Sequence, residues 1–123
     1  MQNPKERFSG LDMWPGTDAS YRNITPKYKL SFDKELVKNW KVKVDTMIKW
    51  LTNSSAPANC IFGYFDEPDQ TSHEYGPFGN QTIEKVQQTD RIVGYLIERL
   101  NQTKLFNKTN LILLSDHGMV EVE

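Results

Sequence analysis

The sequence predicts an α/β fold, an open and mostly parallel sheet with flanking helices, of which this chain supplies a part. Two continuous apolar runs, Cys60-Ile61-Phe62-Gly63-Tyr64-Phe65 and Asn110-Leu111-Ile112-Leu113-Leu114, have the pattern of strands covered on both faces. The stretch between them has helical spacing, so residues 60–119 read as a βαβ unit, whose strands should be parallel. Two strands are too few for a stable sheet, and an apolar share of 37% is low for a self-contained domain. The 123 residues are therefore expected to be an internal fragment of one larger domain, with partner strands supplied from elsewhere.

Residues 1–30 carry Pro4, Pro15, Gly16 and Pro26 without sustained periodicity and read as loop-rich. Within them, Trp14-Pro15-Gly16-Thr17-Asp18 reads as a tight turn anchored by a partly buried indole. A helix is expected over 32–52, with Ser31 as its cap and Asp33 and Glu35 at the positive end of its dipole. Leu36, Val37, Trp40, Val44, Met47, Ile48 and Leu51 form its apolar stripe, while Lys34, Lys38, Lys41, Lys43, Asp45 and Lys49 read as a solvated face. A strand is expected at 60–65, opened by Cys60 as a small buried residue. Loop 66–80 follows, then a helix at 81–101 through Ile83, Val86, Val93, Leu96, Ile97 and Leu100. Asp90 interrupts that stripe, either as a boundary residue or as a buried, paired carboxylate. A second strand at 110–114 leads into a loop at 115–119.

Fifteen basic and sixteen acidic residues leave a formal charge of -1, and no basic stripe is present. Capture of a nucleic-acid backbone is not expected. No run reaches the roughly 20 apolar residues needed to cross a bilayer, and the polar start is not a signal peptide. Five glycosylation acceptors stand at Asn23, Asn53, Asn80, Asn101 and Asn107, where nine asparagines and 16 serines plus threonines predict about one by chance. That excess points to an extracellular or cell-surface parent in the secretory pathway, with its leader or anchor outside this segment.

Both histidines of the chain lie beside or near aspartates, in loops that follow the two apolar runs. Carboxylate oxygen and imidazole nitrogen form a ligand mixture that zinc accepts. Asp69 and His73 are four residues apart, so one turn of helix or a compact loop can aim both at one ion. Asp116 and His117 are neighbours and can share an ion only if the chain bends, which Gly118 is suited to permit. If the two strands are parallel, both loops open on the edge of the sheet where α/β folds place ligands. The residues alone leave open a solvated acidic loop of Asp66, Glu67, Asp69 and Glu74, with His73 hydrogen-bonded locally.

Glu67-Pro68-Asp69-x-x-x-His73-x-x-Gly76-Pro77, followed by Leu111-Ile112-Leu113-Leu114-Ser115-Asp116-His117-Gly118-Met119, closely resembles the ecto-nucleotide pyrophosphatase/phosphodiesterase family of the alkaline phosphatase superfamily. The Trp14-Pro15-Gly16 turn and the helix through Trp50 also look like that family, so the resemblance covers nearly the whole chain. It implies an alkaline-phosphatase-like sheet and a two-zinc phosphodiesterase, in which a threonine attacks phosphorus and water then hydrolyses the covalent phospho-enzyme. By motif, Asp69 and His73 match ligands of one zinc and Asp116 and His117 match ligands of the other. The threonine and the remaining ligands have no match here, so no catalytic residue is assigned in this chain. The rest of the catalytic domain is required, and the fragment itself is expected to be inactive. Small-molecule phosphodiesters or nucleotides are the implied substrates. The family usually has glycine where Ser72 stands; if that position needs a positive φ, the serine would be strained. Tyr75 resembles an aromatic position near the family's substrate pocket, with packing as an equal alternative. A reading from a different class is a non-catalytic module closing all four ligands around one structural zinc.

Overall fold

The computed structural model describes residues 7–121. The chain divides into two compact units, Met1–Phe65 and Asp66–Glu123. In the first, β1 (Phe8–Asp12), β2 (Tyr28–Leu30) and β3 (Ala58–Gly63) form a parallel sheet in the order β2-β1-β3. α1 (Trp40–Leu51) lies in the connection from β2 to β3. The parallel architecture is thus present, but β3 is its one member from the expected βαβ unit, and its partners β1 and β2 come from earlier in the chain.

Two of the three strands fall in the stretch read as loop-rich. Phe8-Ser9-Gly10-Leu11-Asp12 has no apolar alternation to announce a strand, yet it is the central one. The reason lies in what packs against it: a Cβ at Gly10 would stand 2.7 Å from the Trp50 ring. Trp50, off the expected stripe, is buried there and stacks on Tyr28 with ring centroids 5.6 Å apart. Gly63 of β3 has Met47 of α1 close enough that a Cβ would meet its sulfur at 3.0 Å. Missing side chains on the strands thus let bulky ones on the helix approach the sheet backbone.

The expected helix over 32–52 is shorter. Asp33 Oδ1 accepts from the backbone N–H groups of Glu35 and Leu36, holding a 3-10 turn at Leu36–Lys38. Asn39 then caps α1, its Oδ1 accepting from Val42 N at 3.3 Å. Ser31 is not the cap, because its hydroxyl is engaged with Asp18 Oδ1 at 2.6 Å. Trp40, Val44, Met47 and Ile48 form the buried face, and Lys43 is buried with them. The solvated reading of Lys43 fails because a partner 31 residues away waits inside: Asp12, wholly buried at the end of β1, lies 3.6 Å from its ammonium. Lys43 Nζ also donates to the Tyr64 carbonyl and lies over the Phe65 ring at 4.3 Å.

Among the described residues β3 has one sheet neighbour, and much of it is exposed, including Cys60 and Phe62. The reading of a strand covered on both faces, opened by a buried cysteine, therefore fails. The turn at Trp14 forms, with Thr17 N donating to Trp14 O at 2.9 Å and Gly16 at φ +83, though the indole expected to anchor it is 37% exposed.

In the second unit, α2 (Asp69–Tyr75) and α3 (Asn80–Gln102) pack together, and a 3-10 turn follows at Phe106–Lys108. The expected loop 66–80 thus contains a helix. Ile92 and Leu100 are buried on α3, whereas Ile83 and Val86 are exposed, as is Asp90, which fits a boundary position. Residues 110–114, expected as a strand, pair with no neighbour among the described residues, and Ile112, Leu113 and Leu114 are 61–77% exposed. A strand is defined by ladder bonds to a neighbour, and among the described residues this run has none.

Candidate metal centre

α2 has only seven residues, too short to persist on its own propensity. Its cap position is Pro68, whose side chain cannot accept a hydrogen bond, so the preceding residue supplies the acceptors. Glu67 Oε2 accepts from Thr71 N at 3.0 Å and Oε1 from Thr71 Oγ1 at 2.9 Å. Lys85 Nζ, on α3, lies 3.2 Å from Glu67 Oε1. Burial acts to raise the Glu67 pKa, but the hydrogen bonds from Thr71 and Lys85 and the lysine's charge outweigh it and hold the carboxyl below its usual range. At the other end, Gly76 leaves the helix with φ +77, its N–H donating to Ser72 O, and Thr82 Oγ1 donates to Gly76 O at 2.7 Å.

Between these anchors, one helical turn puts Asp69 and His73 on the same face, with His73 Nε2 3.5 Å from Asp69 Oδ1. His117 Nε2 lies 3.7 Å from the same oxygen and 3.8 Å from Asp116 Oδ2. Helix α2 and a segment more than 40 residues later in sequence therefore meet at Asp69 Oδ1. That oxygen is buried and, among the described residues, has no hydrogen-bond partner. The chain bends at Asp116, one position earlier than expected, and Gly118 does not take a positive φ. His117 Nδ1 is 2.8 Å from Gly118 O; donation there leaves Nε2 as the basic nitrogen turned toward the carboxylates. This backbone bond, with the charges of Asp116 and Asp69, raises the His117 pKa.

The chemistry of this set fits a divalent cation: carboxylate oxygens and imidazole nitrogens offer lone pairs, and a buried oxygen without a donor is costly unless something positive faces it. Among the described residues no three such side chains converge tightly enough to enclose an ion by themselves. Ser72 is helical rather than at positive φ; it is buried, and its hydroxyl donates to Asp69 O at 2.9 Å. The expected strain is absent. Tyr75 ends α2 and is 46% exposed.

Sequence reasoning missed Asp12 with Lys43, and Glu67 with Lys85. Only the Glu67-x-x-x-Thr71 spacing left a trace, since an acceptor four residues before a threonine can reach a first helical turn. In the first unit, Met13, Trp14, Thr17, Phe32 and Tyr64 are among the residues lining a cleft of about 330 Å³.

Parallel strands, flanking helices and a carboxylate–imidazole cluster are features of metal-dependent α/β hydrolases. The type I phosphodiesterase/nucleotide pyrophosphatase family profile matches residues 3–123, and the chain belongs to that family. It is 33% identical over 116 residues to bis(5'-adenosyl)-triphosphatase ENPP4 of Bos taurus, covering 94% of this chain and 25% of that protein. It is 38% identical over 110 residues to venom phosphodiesterase CdcPDE of Crotalus durissus collilineatus, covering 89% of this chain and 13% of the relative. Among solved structures, murine ectonucleotide pyrophosphatase/phosphodiesterase 5, as an inactive threonine-to-alanine variant in complex with AMP, superposes with a TM-score of 0.75 at 32% identity. That match covers 83% of this chain and 26% of the murine one. The chain thus spans about a quarter or less of the length of these relatives.

Proposed function

We propose that this chain is part of a two-zinc phosphodiesterase that hydrolyses phosphodiester or pyrophosphate bonds in a nucleotide or phosphorylated-alcohol substrate. Asp69 and His73 would hold one ion, and Asp116 and His117 the other. The observation that carries this reading is the buried Asp69 Oδ1, which has no hydrogen-bond donor among the described residues and faces the Nε2 atoms of both histidines. Two adjacent zinc ions, when bound, supply positive charge that activates the attacking oxygen and stabilises the leaving one. The chain's own part is to hold the ligands: the turn of α2 aligns Asp69 with His73, and the Gly118 carbonyl orients the His117 ring.

The nucleophilic threonine is expected upstream of this segment. The description of the murine relative as inactive after threonine-to-alanine exchange, and as bound to AMP, supports both that nucleophile and a nucleotide substrate. An extracellular or cell-surface site of action is supported by exposed Asn23, Asn80, Asn101 and Asn107 and by the venom relative's name. Asn53 is half-buried, its Oδ1 accepting from Ser55 N and Ala56 N. Among the described residues no helix is long and apolar enough to cross a membrane.

The test is hydrolysis of a chromogenic phosphodiester by the full-length protein. Activity is expected to vanish on chelation and return with zinc, while residues 1–123 alone show no turnover. Robust turnover by the segment, or chelator-resistant activity of the full protein, would overturn the proposal. A single tightly held zinc with no hydrolysis would instead support the non-catalytic module.

A further inference from the structure

We propose that Glu67 and Lys85 are positioning residues that set the metal affinity of the Asp69/His73 pair, an inference that rests on the zinc reading above. Neither is placed as a ligand. Glu67 uses both carboxylate oxygens on Thr71, one on the backbone N–H and one on the hydroxyl, thereby fixing the first turn of α2. Asp69 sits in that turn, two residues before Thr71. Lys85 lies 3.2 Å from Glu67 Oε1 and so ties the turn to α3, a helix of 23 residues with its own internal bonds. Thr82, one turn earlier on α3, holds the other end of α2 through the Gly76 carbonyl.

A seven-residue helix fastened at both ends to a long one presents Asp69 and His73 at a fixed separation. Untied at its first turn, it would let the Asp69 carboxylate wander, and ordering it again would be charged against each binding event. Outer partners that orient metal ligands typically contribute about 10–100-fold in affinity. The Glu67 side chain is 15% exposed and that of Lys85 35%, so the tie is partly shielded from competing water.

The experiment uses the full-length protein and its Glu67→Gln, Lys85→Met and Lys85→Arg variants. Zinc affinities are read by chelator competition and the ligand field by the visible spectrum of the cobalt-substituted forms. Glu67→Gln and Lys85→Met are expected to weaken one of two zinc sites by about 10–100-fold and to change the cobalt spectrum. Lys85→Arg should recover most of the affinity. Unchanged affinities in both disruptive variants, beside a wild type that binds two zinc ions and turns over, would overturn this inference alone. Equal weakening of both sites with a general loss of stability would overturn it too, by showing a merely structural role. A wild type that binds no zinc would overturn the function proposal, and this one with it.

Discussion

Two carboxylates in different units of this chain are buried in contrasting ways. Asp12 is enclosed completely and meets an ammonium, Lys43, at 3.6 Å, so its negative charge has a permanent counterpart within the fold. Asp69 buries one oxygen and meets two imidazoles and, through His117, a second carboxylate. The first cluster pairs an acid with a base. The second assembles lone pairs, and under the proposed zinc reading the positive charge comes from outside. Burial of a charge alone does not mark a site; what marks it is whether the fold itself supplies the opposite charge.

The sharpest contrast is expected from Lys43→Met in the full-length protein. Leaving Asp12 buried and unpaired should cost roughly 3–5 kcal/mol in urea unfolding at neutral pH, with zinc content per folded chain unchanged. Adding Asp12→Leu should recover most of the loss, since an apolar pair of similar volume does not carry the desolvation penalty. A double variant no better than the single one would deny that the pair is self-neutralising.

Next in size is the pH response of Asp12. Burial pushes its pKa up to about 6, against the lowering influence of Lys43. Between about pH 4 and pH 6 the folded protein then holds a proton that the unfolded chain has released. Stability from this group is therefore greatest below the ordinary carboxylate range and falls as pH rises to about 6, by at most about 3 kcal/mol. Asp12→Asn should remove that slope, and identical slopes in variant and wild type would contradict the assignment.

Asp69→Ala should behave in the opposite manner to Lys43→Met. Phosphodiester hydrolysis should fall at least about 100-fold, beyond the range usual for an outer partner, while the urea midpoint of the metal-free protein hardly moves. Ser72→Gly gives the smallest effect: a loss of about 0.5–1 kcal/mol in thermal unfolding, because glycine weakens a helix and the hydroxyl's bond to Asp69 O disappears. A gain in stability would mean that the serine is strained after all.

Much of the candidate cluster was legible because its spacing is local: Asp69 and His73 are a helical turn apart, and Asp116 and His117 are adjacent. The meeting at Asp69 was expected from both loops leaving parallel strands. It is observed although residues 110–114 form no strand among the described residues. The strands at 8–12 and 28–30 were illegible for a physical reason. Gly10 is selected by the Trp50 ring pressed against it, and a residue chosen for what it lacks leaves no apolar pattern. Lys43 was illegible because an amphipathic helix reads only its own turns, and Asp12 is on another element. Cys60 and the exposed part of β3 misled in the converse direction, since an apolar run tells of burial without telling which part of the chain provides the cover.

The most direct measurement is anomalous scattering at the zinc edge from crystals of the full-length protein. Two peaks are expected, one within about 2.2 Å of the Asp69 carboxylate and His73 Nε2 and the other at the same distance from Asp116 and His117 Nε2. A zinc-replete, active protein whose peaks lie away from these four side chains would contradict the account.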